Sequence, residues 1–283
     1  MKSIAVIGCG NMGSAVVAAL LRKGICIGND LIIIEKKANH YTREFASHNC
    51  LILDHILKHE NEFEIVILAV KPQFAHEAMQ DLALKINTNT LVISLMAGVS
   101  INELKLALQT DEIIRSIPNT PCLMSLGMTV FCGHKKIKGE SLKVVKRIFS
   151  AMGVALKVND EKKVDAATAI SGTGPAYLFF LAESLQKGAV ELGFDQDEAH
   201  ILANQTLFGA ANLLHKSDDS AEVLRRKVSS PGGTTEAAMK HYKENRLMEI
   251  MVEGYKSAHH RSVELGLIRR NHPNNESDIT GSG

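Results

Sequence analysis

SIAVIGCGNMGSAVVAALLRKG, residues 3–24, decides the fold. Residues 3–7 form a short run rich in β-branched side chains, the pattern of a buried strand. Residues 11–23 carry the 3.6-residue apolar spacing of a helix, and Gly24 stands where a C-terminal cap belongs. Between them, Gly8, Gly10 and Gly13 form G-x-G-x-x-G. Gly8 permits the tight turn, Gly10 lets a pyrophosphate approach the backbone, and Gly13 lets the helix pack on the strand. The helix start supplies N–H donors and the positive end of a dipole. A second strand at 31–35 completes a βαβ unit, so this glycine pattern reads as a dinucleotide loop.

The alternation continues through the first half. Strand-like runs fall at 31–35, 64–70, 90–96, 112–117, 128–132 and 154–158, with helix-like segments at 41–47, 74–83, 101–108 and 140–152. Near-continuous apolar strands alternating with helices predict an α/β fold, a Rossmann-type parallel sheet covered on both faces. From residue 162 to 267 only helical spacing remains, with Gly193 and Gly266 at expected helix ends. We therefore expect a dinucleotide-binding domain over 1–160, an all-helical domain over 161–270, and a polar, disordered tail over 271–283.

Composition narrows the function. The chain has 283 residues, a formal net charge of +1 and no tryptophan. Neither a field for nucleic acid or anionic membrane nor a base-stacking surface follows from that. Five scattered cysteines without a CxxC pair predict reduced thiols and a cytoplasmic protein. Glycines and polar residues interrupt the apolar N-terminal stretch, which argues against a signal peptide. His55 and His59, four apart, would share a helical face, but no third ligand is near, and no metal site is expected.

Glu35 closes the second strand 22 residues after Gly13 (35 − 13). An acid there accepts from a ribose 2′-hydroxyl and favours NAD, whereas Lys36 and Lys37 next to it, with Arg43 near, suit a 2′-phosphate. These residues alone leave the choice open. Ligands of open α/β sheets sit beyond the carboxyl ends of strands. AVKP (69–72), SLMAG (94–98) and IPNTP (117–121) fall there, with Lys71 placed to face a cofactor, although each loop alone fits a structural turn equally well.

KVSSPGGTTEAAMKHY, residues 227–242, opens another helix unusually. Pro231 suits the first helical position. Gly232 and Gly233 weaken a first turn by roughly 1 kcal/mol each relative to alanine, yet they bare N–H groups that Thr234 and Thr235 supplement with hydroxyls. That suits a small carboxylate; a threonine-capped turn fits equally. AISGTGPAYL, residues 169–178, repeats the device before a further helix.

SSPGGTTEAAM, AISGTGPAY, RSIPNTP, AVKP and GCGNMG, taken in order, resemble the signatures of the pyrroline-5-carboxylate reductases, enzymes of proline biosynthesis. The resemblance spans about residues 2–266 and implies reduction of 1-pyrroline-5-carboxylate to L-proline with NAD(P)H, in a homodimer or larger homo-oligomer. By this resemblance Ser230, Gly232, Gly233, Thr234 and Thr235 bind substrate, with the Thr235 hydroxyl beside the ring nitrogen as the catalytic group. Ile7, Gly8, Cys9, Gly10, Asn11, Met12, Gly13, Ala69, Val70, Lys71, Pro72, Leu95, Met96, Ala97 and Asn119 would line the cofactor, with Glu35, Lys36 and Lys37 at its ribose. Residues 50–63 align poorly, and Glu35 opposes the usual NADPH preference. The balance of Lys36 and Lys37 against Glu35 favours NADP, with NAD as the alternative. Two rivals are a related two-domain 3-hydroxyacid dehydrogenase, whose lysine-bearing helix motif is missing, and a non-enzymatic NAD(P) redox sensor, which the second anion site opposes.

Overall fold

A computed structural model describes residues 3–271, with side chains to residue 267. The chain divides into two compact units: one runs to Thr173 and resumes at Ala258, and the other is Gly174–Ser257.

The first unit alternates as the sequence predicts. Its order is β1 (Ile4–Ile7), α1 (Asn11–Arg22), β2 (Leu31–Ile34), α2 (His40–Ser47), β3 (Leu51–Leu53), β4 (Ile65–Leu68), α3 (Ala75–Ala83), β5 (Leu91–Ser94), α4 (Ile101–Leu108), β6 (Ile113–Ile117), β7 (Gly127–Gly133), α5 (Gly139–Met152), β8 (Gly153–Lys157) and α6 (Lys162–Ala167). The eight strands form one sheet in the order β3-β2-β1-β4-β5-β6-β7-β8. Strands β1, β2, β4, β5 and β6 are buried along their whole length, because helices cover both faces. Ile4, Val6, Ile33 and Ile67 pack on the α1 and α5 side, and Ala5, Ile32, Val66 and Val92 on the α3 and α4 side.

Two features differ from the sequence expectation. β3 is an additional strand, and β7 runs antiparallel to β6. Only residues 118–126 join β6 to β7, too few for the crossover of a dozen or more residues that a parallel pair needs. A buried charge fixes the far end of this unit. Arg115 on β6 is 4% exposed and pairs with Glu161 at 2.8 Å and with Asp165, while Glu161 also accepts the Ile101 N–H at the start of α4.

The second unit begins with α7 (Gly174–Glu191), followed by α8 (Gln196–Lys216), α9 (Ala221–Lys227) and α10 (Thr234–Glu244); α11 (Leu247–Asn271) starts here and ends in the first unit. Gly24 and Gly193 end helices with φ of +60° and +102°, as expected. Gly266 does not: α11 continues through it, because its bare backbone meets Gly98, whose carbonyl oxygen lies 3.1 Å from where a Cβ would stand. Pro231 is not a first helical residue either. Gly232 follows it at φ +72°, a left-handed conformation that delays the helix to Thr234. The second glycine-rich opening is also corrected. Thr168–Gly172 form a π turn, and the Thr173 N–H and hydroxyl both donate to the Thr168 carbonyl, so no open helix start stands there. The expected tail from 272 onward lies outside the described residues.

The helical unit hides little of its apolar surface. No residue of α7 is buried, and Phe179, Phe180, Ile201 and Phe208 are each more than 60% exposed. A helix apolar on several faces needs cover on all of them.

All five cysteines are free and buried. Burial, reinforced by Glu35, pushes the Cys9 thiol up to about 12, and burial pushes Cys26 up to about 11. The thiolate is the reactive form. Native protein at pH 8 should therefore leave a thiol-reactive chromogen almost untouched over minutes, while guanidinium-unfolded chain releases five equivalents. Rapid labelling of the native state at Cys9 or Cys26 would contradict this burial.

Candidate active site

Strand order reverses at β1, with β2 on one side and β4 on the other. That switch point opens a crevice beyond the strand ends. The Gly8 N–H donates to the Ile34 carbonyl at 2.9 Å, and the Ala69 N–H to that of Ile7 at 2.8 Å, so three strand ends converge on the glycine loop.

Each glycine has its own reason. Gly8 has φ +92°, and a Cβ there would lie 2.8 Å from the Val70 nitrogen. At Gly13 a Cβ would lie 1.9 Å from the Gly8 carbonyl oxygen. At Gly10 a Cβ would meet nothing within 4 Å. The first two glycines let protein pack on protein, whereas the third faces open space at the start of α1. That is the clearance a pyrophosphate needs, with first-turn N–H groups aimed at it. The residues present thus fit a dinucleotide.

The loop is held from outside. The Cys9 N–H donates to Glu35 Oε2 at 2.7 Å, and its carbonyl accepts from Asn39 Nδ2 at 3.0 Å. Asn39 is also the N-cap of α2, through Oδ1 to the Thr42 N–H. Its N-x-x-T capping pattern was readable in sequence; its reach to Cys9 was not.

A cleft of about 400 Å³ lies against this loop, within the usual range for ligand pockets. Ile7, Gly8, Gly10, Glu35, Lys36, Lys37, Ala69, Val70 and Lys71 line it, nine of the residues singled out in the sequence. Cys9, Gly13, Leu95 and Met96 are buried. Asn11 and Met12 open α1, Pro72 opens the short turn Pro72–Phe74 and Ala97 follows β5, and none of the four lines the cleft. Asn119 is engaged structurally: its Nδ2 donates to the Ser171 carbonyl at 2.9 Å, and its Oδ1 accepts the Met128 N–H at 2.8 Å.

Sequence reasoning missed Asp54, His55, Phe74, Glu77 and Asp81, which line the cleft. Glu77 and Asp81, four apart on α3, share a helical face, a signal that was available. Asp54 and His55 follow β3, which the sequence did not reveal. The Lys58 ammonium, 2.7 Å away, holds the Asp54 carboxyl below its ordinary value. His55 caps the short turn Ile56–Lys58 and points Nε2 to Asp81 at 3.3 Å, while His59 stacks on Phe63, so the two histidines share no helical face. Lys36 pairs with Glu77.

In the helical unit, α10 begins after Gly233, its N-cap. The Gly233 N–H donates to the Ser230 carbonyl at 3.0 Å, and Ser230 Oγ sits 2.6 Å from where a Gly233 Cβ would be. Thr234 is exposed and Thr235 half-buried. Their N–H groups fall in the first turn, where a helix has no acceptor of its own.

A family model described as pyrroline-5-carboxylate reductase dimerisation matches residues 161–265, and one described as NADP oxidoreductase, coenzyme F420-dependent, matches residues 3–98. A pyrroline-5-carboxylate reductase of Synechocystis is 33% identical over 93% of this chain and 98% of its own length. The chain belongs to the pyrroline-5-carboxylate reductase family. A solved reductase of this family from Coxiella burnetii is 30% identical, with a TM-score of 0.85 over 93% of this chain and 98% of that one. The Plasmodium falciparum structure, with NADP bound, is 26% identical with a TM-score of 0.83, covering 94% and 98%. The family's dimerisation segment coincides with the helices that leave their apolar faces open, so the protein is a homo-oligomer.

Gly10→Val should fold normally and lose dinucleotide affinity, since its side chain would fill only the open space above the loop. Gly13→Val should instead lower the unfolding midpoint, because overpacking typically costs about 1–3 kcal/mol. Fluorescence titration with NADPH and thermal melting of both variants check this; equal dinucleotide affinity in wild type and Gly10→Val would contradict it.

Proposed function

We propose that this chain reduces 1-pyrroline-5-carboxylate to L-proline with NAD(P)H in the cytoplasm, as a homodimer or larger assembly. The observation that carries the reading is the open backbone at Gly10 beside two closed glycines, together with a relative 33% identical over nearly its whole length. A bound NAD(P)H would supply the hydride that the imine carbon receives. The chain supplies position. Backbone N–H groups at Thr234 and Thr235 anchor the substrate carboxylate, with Ser230, Gly232 and Gly233 shaping the turn. The Thr235 hydroxyl orients the ring nitrogen. A neutral hydroxyl suits this place, because a protonated imine accepts hydride best and tolerates no neighbouring cation. Fixing the substrate by its carboxylate and ring nitrogen provides much of the rate. Ala69, Val70, Lys71 and Pro72 with Leu95, Met96 and Ala97 border the cofactor, and Asn119 holds the neighbouring loop.

NADPH is the cofactor proposed, with NADH also used. Glu35 opposes a 2′-phosphate, but both its oxygens already accept backbone N–H groups, from Cys9 at 2.7 Å and Lys37 at 3.4 Å. Lys36 is tied to Glu77, yet both side chains are more than half exposed. Such a pair is worth about 0–1 kcal/mol, so a phosphate exchanges for Glu77 at little cost. Lys36, Lys37 and Lys71 then set three positive charges against the carboxylates of Glu35, Asp54, Glu77 and Asp81 on the same cleft. The Plasmodium relative's bound NADP supports the same choice.

Purified protein given synthetic pyrroline-5-carboxylate should oxidise NADPH, and NADH less efficiently; no turnover with either would overturn the assignment. Thr235→Ala should keep cofactor affinity and slow turnover roughly tenfold, the equivalent of one hydrogen bond of about 1–2 kcal/mol. Unchanged kinetics would leave Thr235 a helix residue only. Lys36→Ala with Lys37→Ala should raise the KM for NADPH well above that for NADH. A wild type that already prefers NADH would give the pocket to Glu35.

A further inference from the structure

The turn before α10 is held by an acid inside the helix. Gly232 stands at φ +72°, and its N–H donates to Glu236 Oε2 at 2.7 Å. In the usual capping box the third helical residue reaches back to the N-cap N–H. Glu236 is that third residue, yet it reaches one position further, past the N-cap Gly233 to Gly232. Gly233 can offer no capping side chain, and its own N–H is engaged with Ser230. Both glycine N–H groups are therefore occupied within the turn. Those of Thr234 and Thr235 have no helical acceptor and remain for a ligand.

We propose that Glu236 is a positioning residue: its carboxylate locks the left-handed turn at Gly232 and so presets the Thr234 and Thr235 groups that receive the substrate carboxylate. This rests on the substrate reading above. Glycine loses more conformational freedom on ordering than any other residue. Two adjacent glycines left unheld would be ordered only when substrate binds, and that cost would appear as weaker binding. A carboxylate beside an anion site repels the ligand in principle. Here the Gly232 N–H and the positive end of the helix dipole partly compensate it. The geometric role needs only an acceptor oxygen, which glutamine also carries.

Glu236→Ala and Glu236→Gln in the full-length protein separate these effects. The readouts are kcat, the KM values for pyrroline-5-carboxylate and NADPH, the melting temperature, and amide hydrogen exchange of the peptide covering residues 229–236. Glu236→Ala should raise the KM for pyrroline-5-carboxylate about fivefold, the order of one exposed charge-assisted hydrogen bond. Its kcat, NADPH KM and melting temperature should stay put, while exchange across the turn quickens. Glu236→Gln should bring substrate KM and exchange back to within about twofold of wild type, because its amide oxygen replaces the acceptor. Wild-type substrate KM or wild-type exchange in Glu236→Ala, or a glutamine variant as impaired as the alanine one, would overturn the proposal. A general loss of melting temperature with both KM values shifted would also overturn it, by making Glu236 merely structural. Wild-type protein without turnover would sink the substrate reading, and the exchange comparison would still decide whether Glu236 holds the turn.

Discussion

Backbone touching backbone at the switch point is the constraint on which the first unit depends. Gly13 presses on the Gly8 carbonyl, and Gly8 presses on Ala69 and Val70. These contacts bring β1, β4 and α1 closer than any side chain would allow. They also leave the start of α1 facing outward over Gly10, with free N–H donors. The chemistry of the cleft follows from that close approach. Glu35 and Asn39 then brace Cys9 from the neighbouring β2 and α2. The glycine loop is therefore preorganised, held by groups that do not depend on a ligand.

The helical unit obeys a different constraint. Phe179, Phe180, Ile201 and Phe208 stand exposed, and the family segment that matches there is a dimerisation segment. Burial of apolar surface drives both folding and association, so this half of the molecule gains its remaining stability from a second copy. The turn at Gly232 and Gly233, weak by helix propensity, is held instead by Ser230 and Glu236.

Much of this was legible in the sequence. Long β-branched runs such as residues 31–35 and 64–70 read as strands because burial on both faces leaves them apolar throughout. The spacing in residues 101–108 matches α4 end to end. The glycine spacing at 8, 10 and 13 carried the cleft. What failed was local punctuation whose meaning depends on distant partners. Gly266 reads as a helix end, but it is a contact with Gly98 from 168 residues earlier (266 − 98). Pro231 reads as a helix start, but the conformation of Gly232 overrides it. AISGTG reads as an open anion loop, but Thr173 closes it on Thr168. β3 is three residues long, with Leu51 exposed, and offers no periodicity to detect. Missing β3 hid Asp54 and His55 as cleft residues, so that side of the cleft was only half visible.

A crystal structure of the protein soaked with NADPH tests the central claim most directly. The pyrophosphate should lie over Gly10, its oxygens about 2.7–3.2 Å from the Asn11 and Met12 N–H groups, with the adenosine ribose against the segment from Glu35 to Lys37. A dinucleotide bound elsewhere on the sheet, or one whose pyrophosphate avoids Gly10, would contradict the account.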